Sequence, residues 1–300
     1  MKNLIFAFLF DAGEVENEAL RLARSIRTFG GKFCFNPIWL LSQRGEEELA
    51  ETTRQELFSL GARLITFDMD PDGSNFPFAS YVTAAGIAEG LAQGETSYLA
   101  MMAADTLILQ PPSEFLLPAG KSLGGCPVHL KLLGSGFNDP IDEFWGLIYR
   151  DCKVDIEQIY PIQTIVDEQI VRAYFNAGLL VVRPERGILR AWQSDFEVLY
   201  HLPEFEQFYR QQELYKIFMH QMVLAGSILS SLKPEEFQQF PFEMNYPLHL
   251  HSKVPPRRRP ERLNQLSTCR YEDFAEFFGS PEVESLIQID TPFKHWLQAQ

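Results

Sequence analysis

The sequence predicts an α/β fold: a Rossmann-like, mostly parallel central sheet with helices on both faces. Three observations predict it. Short apolar runs alternate with stretches of helical apolar spacing through the first 110 residues. An acidic residue, Asp105, interrupts the fourth apolar run, where the carboxyl end of a central strand would lie. The chain has 300 residues, 46% hydrophobic and 22% charged, enough to bury a full core and too apolar for disorder.

The elements follow in order. Leu4–Phe10 is a continuous apolar run and the first strand. It resembles a short signal peptide, but it meets Asp11 and Glu14 without a small-residue cleavage site. Leu22, Ile26 and Phe29 then recur at helical spacing, and Gly30 and Gly31 close that helix. Pro37–Ser42 is a second strand. Glu46–Leu60 is a second helix, with acids in its first turn and Gly61 beyond its end. Arg63–Phe67 is a third strand. The third helix runs from Pro77 to Gln93, with Ala84, Ile87, Ala88 and Leu91 on one face. Tyr98–Met102 and Thr106–Leu109 are strands around the acidic interruption. Residues 111–175 are rich in Pro and Gly, with a strand at Pro127–Leu133. Ala177–Val182 is again a strand. Pro184 starts a helix that Leu189, Trp192, Phe196 and Leu199 continue, and one longer helix covers Glu204–Ser231. The rest reads as loop. One domain, 1–300, results: a half at 1–110, a second half at 111–255 and a tail at 256–300.

The net charge of −14, from 26 basic and 40 acidic residues, argues against a nucleic-acid partner. No run has the roughly 20 apolar residues of a membrane span. Cys34, Cys126, Cys152 and Cys269 are scattered without a CxxC pair, which fits a reducing cytoplasm. The basic stretch Lys253–Arg262 runs against the overall charge. Its arginines suit bidentate pairing with phosphate, or simply a solvated loop.

Three segments carry chemistry. Met102-Ala103-Ala104-Asp105-Thr106-Leu107 ends a strand on an acid. Tyr174-Phe175-Asn176-Ala177-Gly178-Leu179 offers an amide that both donates and accepts, beside a glycine that lets backbone approach closely. Asn245-Tyr246-Pro247-Leu248-His249-Leu250-His251 carries two imidazoles that strand alternation would put on one face.

In this order the segments resemble the GT-A nucleotide-diphospho-sugar transferases, the glycogenin-like ones in particular. That family ends a strand in Asp-x-Asp, precedes a later strand with Phe-Asn-x-Gly, and carries a late histidine. The resemblance implies a nucleotide-sugar donor, a UDP-sugar first, and transfer of its sugar to an acceptor, with retention of stereochemistry. It implies a divalent cation, Mn2+ or Mg2+, on Asp105, His249 and His251. The motif is degenerate, because Ala103 stands at its first acidic position. His220-Gln221 likewise stands where relatives carry Asp-Gln. A binding or scaffold protein that has lost turnover on the same fold is the alternative. The catalytic candidates are Asp105, Asn176 and Asp167. The donor-binding candidates are Phe10, Asp11, Ala12, Tyr81, Ala103, Ala104, Asp105, Ala177, Gly178 and Arg257.

Overall fold

A computed structural model describes residues 2–69, 73, 75–280 and 283–299. The strands are β1 Lys2–Leu9, β2 Ile38–Ser42, β3 Ala62–Thr66, β4 Thr96–Met102, β5 Thr106–Ile108 and β6 Leu123–Pro127. They continue as β7 Pro161–Gln163, β8 Ile170–Arg172, β9 Phe175–Val182, β10 Phe237–Gln239, β11 Tyr246–Pro247 and β12 Thr268–Arg270. The helices are α1 Glu14–Phe29, α2 Glu51–Leu60, α3 Ala79–Ala92, α4 Glu143–Asp151, α5 Ile188–Leu199, α6 Pro203–Gln211 and α7 Glu213–Ser231. Three short ones follow: α8 Phe274–Phe278, α9 Val283–Leu286 and α10 Thr291–Leu297.

Seven strands form the main sheet, in the order β10-β6-β9-β4-β1-β2-β3. β1 runs parallel to β2 and β4, and β9 runs antiparallel to both β4 and β6. The expected mostly parallel α/β sheet is present. Alternation along β1 divides its side chains between two cores. Leu4, Phe6 and Phe8 face Leu22 and Ile26 of α1, while Ile5 and Ala7 face the layer that holds Val82, Trp192 and Leu224. β5, β11 and β12 make a second, three-stranded sheet with its own apolar cluster, to which Phe293 of α10 belongs.

Several elements depart from expectation, each for a local reason. Glu46–Leu60 is not one helix. A 3-10 turn at Glu46–Glu48 ends where Leu49 turns inward, and α2 starts afresh at Glu51. The long helix 204–231 breaks at Gln212, whose backbone is extended. In a straight helix Phe208 and Tyr215 would sit about 10 Å apart along the axis. Here their rings are 5.5 Å apart, because both close on Phe144. The strand expected at Pro127–Leu133 is instead Leu123–Pro127, ending where the proline does. Residues 256–300 are no loose tail, since β12 pairs antiparallel with β5 and brings Arg270 opposite Thr106.

Candidate active site

The site begins with a fault in the sheet. Gly125 pairs with Leu180 and Pro127 with Phe175, so two steps along β6 face five along β9. Three extra residues, Asn176-Ala177-Gly178, arch out at the carboxyl end of β4. Bulges of this kind re-aim side chains beside sites. The arch is tied down from three sides. The Asn176 side-chain oxygen accepts from the Gly178 N–H at 2.8 Å and from the Asn245 side-chain amide at 3.1 Å. The Tyr81 hydroxyl donates to the Ala177 carbonyl at 2.7 Å, and the Ala177 N–H donates to Gln221 Oε1 at 3.2 Å. The Ala103 N–H donates to the Gly178 carbonyl at 2.8 Å, which sets the arch against the end of β4.

Asp105 stands just beyond Ala103 and is buried. Arg270 of β12 grips it with two nitrogens: Nε lies 3.0 Å from Oδ1, and Nη2 lies 2.6 Å from Oδ2. The pair is charge-assisted and bidentate. Burial works against the Arg270 charge, but the Asp105 carboxylate outweighs it and holds the guanidinium above its ordinary pKa. Gly178 is what makes room. A Cβ there would lie 2.8 Å from Arg270 Nη1 and 2.9 Å from Asn176 Oδ1.

A cleft opens in front of this pair, lined by Ala103, Asn176–Gly178, Gln221, His249 and Arg270, with Phe78 and His220 as one wall. The Phe78 and His220 rings stack at 4.1 Å, with Phe78 in the left-handed region at φ 62°, a strained conformation for an aromatic residue. The ring of His220 is buried, and desolvation pushes its pKa down to about 3, with the Arg270 charge adding to the shift. The neutral ring meets the Ile217 carbonyl through Nδ1 at 2.9 Å. A carbonyl only accepts, so Nδ1 carries the proton and Nε2 is left as an acceptor. His129 is likewise held neutral, at about 3, by burial and then by Arg270 and His249. Its Nε2 donates to the Asn245 carbonyl at 3.1 Å. His249 is lowered by burial, partly countered by Glu272, whose carboxylate is 3.7 Å from Nε2. The cleft therefore offers uncharged imidazoles, side-chain amides, an aromatic face, one guanidinium and the Glu272 carboxylate. Such a set suits a polyhydroxyl ligand bearing an anionic group.

The sequence profile of the Rhodobacterales glycosyltransferase domain matches residues 6–228. The chain belongs to this family. The match ends before Asn245, His249 and Arg270, so the chain draws part of its cleft from beyond the matched region. Among solved structures, the apo bifunctional glycosyltransferase WbbM is similar, with TM-score 0.51 and 11% identity over 95% of this chain and 51% of that one. The chain thus spans about half the length of WbbM. An active-site mutant of LgtC is similar too, with TM-score 0.50 and 12% identity over 90% of this chain and 87% of that one. These likenesses show the GT-A fold. No curated protein sequence matches the chain.

The fold brings Tyr81, Ala103, Asn176, Ala177, Gly178 and His249 together at one cleft. Asp105 belongs to it from behind, through Arg270. Other candidates lie elsewhere. Phe10 is fully buried in the core under α1 and does not line the cleft. Ala104 is buried in that same core. Asp11 and Ala12 end β1 outside the cleft, and the Ala12 N–H is taken by the Asp11 carboxylate at 2.8 Å. Asp167 caps a turn, accepting from the Lys131 N–H at 3.0 Å and the Thr164 hydroxyl at 2.5 Å. Arg257 is exposed and pairs with Glu168 at 2.5 Å, so the basic run pins its own loop to that turn and lines no cleft wall. His249 and His251 do not share a strand face, because Leu248–Lys253 is a 3-10 turn. His251 turns away and is held between the Tyr246 hydroxyl at 2.9 Å and the Leu286 carbonyl at 3.0 Å.

The expected Mn2+ or Mg2+ site does not fit these residues. Ala103 offers no ligand, His251 is engaged elsewhere, and both Asp105 oxygens already accept from Arg270. Among the described residues no group of three or more His, Cys, Asp or Glu could hold a metal ion. Arg270 is the residue that sequence reasoning missed. It sits in an unremarkable Thr-Cys-Arg run within a segment read as tail.

Proposed function

We propose that this glycosyltransferase transfers a sugar from a nucleotide-diphospho-sugar, a UDP-sugar first among them, to an acceptor hydroxyl. One observation carries the reading. The Asn176–Gly178 arch, Gln221, His220, His249 and Arg270 all meet on one cleft at the carboxyl end of the central strands. The Gln221 amide and His220 Nε2 are suited to sugar hydroxyls, and the Phe78 ring to the apolar face of a sugar. In the step itself, the acceptor oxygen bonds to the anomeric carbon. The bond from that carbon to the diphosphate breaks, and its electron pair leaves with the diphosphate. The acceptor proton passes to His249, which burial keeps in its basic form.

Calorimetry with UDP-, GDP- and CDP-sugars tests the donor, and binding of none of them would sink the reading. A His249→Gln variant should bind UDP like the wild type while transfer falls roughly 100-fold or more. A second reading, a nucleotide-sugar binder without turnover, draws on Ala103 at the motif's first position. Acceptor-dependent release of UDP would exclude it. A cytoplasmic setting fits the four unpaired thiols, and no described helix is long and apolar enough to cross a membrane.

A further inference from the structure

We infer that the Arg270 guanidinium stands in for the divalent cation of the donor site, so that the diphosphate is held by the chain itself. This rests on the nucleotide-diphosphate reading above.

The argument is first one of position. Arg270 sits on the carboxylate a cation would use, in bidentate geometry, at the end of β4. Nε and Nη2 are spent on Asp105. Nη1 has no protein acceptor among the described residues, and Gly178, with no side chain, leaves its approach from the cleft open.

The second argument is charge balance. Two carboxylates and a divalent cation sum to zero. One carboxylate and one guanidinium also sum to zero. With Ala103 at the first motif position and Arg270 on Asp105, the pair is therefore as neutral as an intact metal site, with Nη1 left over; among the described residues, Glu272 is the one further carboxylate in the cleft lining. Either feature alone would break that balance. Ala103 without Arg270 leaves the Asp105 carboxylate uncompensated, and two acids with Arg270 leave one negative charge over, so either would repel a diphosphate. The third argument is reach. The Arg270 charge disfavours protonation of His129 and His220, and at His249 and Tyr81 the Asp105 carboxylate opposes it, so its reach is felt on the His129 and His220 sides of the cleft. An arginine suits the task, since its planar donors match phosphate oxygens and it stays charged when buried.

The test is titration calorimetry of UDP and of inorganic pyrophosphate, each in Mn2+ and in EDTA. Wild type should bind UDP equally in both, within about twofold. Arg270→Gln should lose at least tenfold in both, and Asp105→Asn/Arg270→Gln, which leaves no orphaned charge, should lose as much while keeping its fold by circular dichroism. Ala103→Asp/Arg270→Ala, which rebuilds the two-acid motif, should bind UDP in Mn2+ and not in EDTA. A wild-type affinity that rises tenfold or more with Mn2+ overturns the inference. So does UDP binding by the folded double variant at wild-type strength. If wild type binds no nucleotide, the donor reading falls by itself. Arg270-dependent pyrophosphate binding would then still uphold the cation assignment, and its absence would overturn that too.

Discussion

The Asp105–Arg270 pair makes a stability prediction separate from any ligand. The Asp105 side chain is 10% exposed and that of Arg270 24%, so both charges are largely out of water. Arg270→Met removes the cation and leaves the Asp105 carboxylate buried with no counter-charge. Breaking a buried pair from one side costs about 3–5 kcal/mol. With an unfolding entropy of roughly 2.1 cal/mol/K per residue, that lowers the Tm of a chain this size by about 5–8 °C. Asp105→Asn should cost less, about 1–2 kcal/mol, because the freed guanidinium borders the cleft and water can reach it. The double variant Asp105→Asn/Arg270→Met orphans neither charge, and should also cost only about 1–2 kcal/mol. The cycle then yields a coupling of roughly 4 kcal/mol. Urea unfolding followed by tryptophan fluorescence at pH 7 measures all four corners. If the single costs simply add, with a coupling below about 0.5 kcal/mol, the two groups do not form a buried pair and the reasoning fails.

Gly178→Ala should weaken UDP binding at least tenfold in calorimetry, since its Cβ would lie 2.8 Å from Arg270 Nη1; binding at wild-type strength would show that the guanidinium is free to shift. His220 is held near pKa 3, below its unfolded value, so its stabilising neutral state is lost as pH falls. Between about pH 6.5 and 3, wild type should lose about 1.4 kcal/mol per pH unit relative to His220→Asn, read from urea midpoints. Glu89 has the opposite sign. Burial lifts it to about 7, although its carboxylate accepts from the Ile188 and Arg190 N–H groups at the start of α5. Relative to Glu89→Gln, wild type should therefore lose stability as pH rises from about 4.5 through 7, and an unchanged difference across that range would contradict the assignment. Glu89→Ala removes this cap and should cost about 1–2 kcal/mol by urea melts at pH 6.

What was legible in the sequence was whatever repeats along it. The alternation of Leu4, Phe6 and Phe8 with Ile5 and Ala7, and the helical spacing of Leu22 and Ile26, are periodic signals, and each found its place in a two-faced sheet. The Asn176–Gly178 segment was legible because amide and glycine chemistry is local. Features made by distant pairing were hidden. Phe10 continues the apolar run of β1, and nothing along the chain says that its face lies under α1 rather than on the cleft. The break at Gln212 has no proline or glycine to mark it; it follows from Phe144, far away in sequence. Arg270 lies 165 residues from its partner Asp105, and a single arginine has no period. The dense charges at 257–259 were conspicuous and proved local, tied to Glu168 and to backbone carbonyls.

The placement of β12 has a consequence for the order in which the protein becomes competent. Synthesis proceeds from the amino end, and the strands of the main sheet, through β10, are complete by Gln239. Until Thr268–Arg270 has emerged and paired with β5, Asp105 has no counter-charge and the cleft has no cation. The nascent chain thus carries the main sheet before it carries the cleft, whose wall at His249 and Arg270 is still to come.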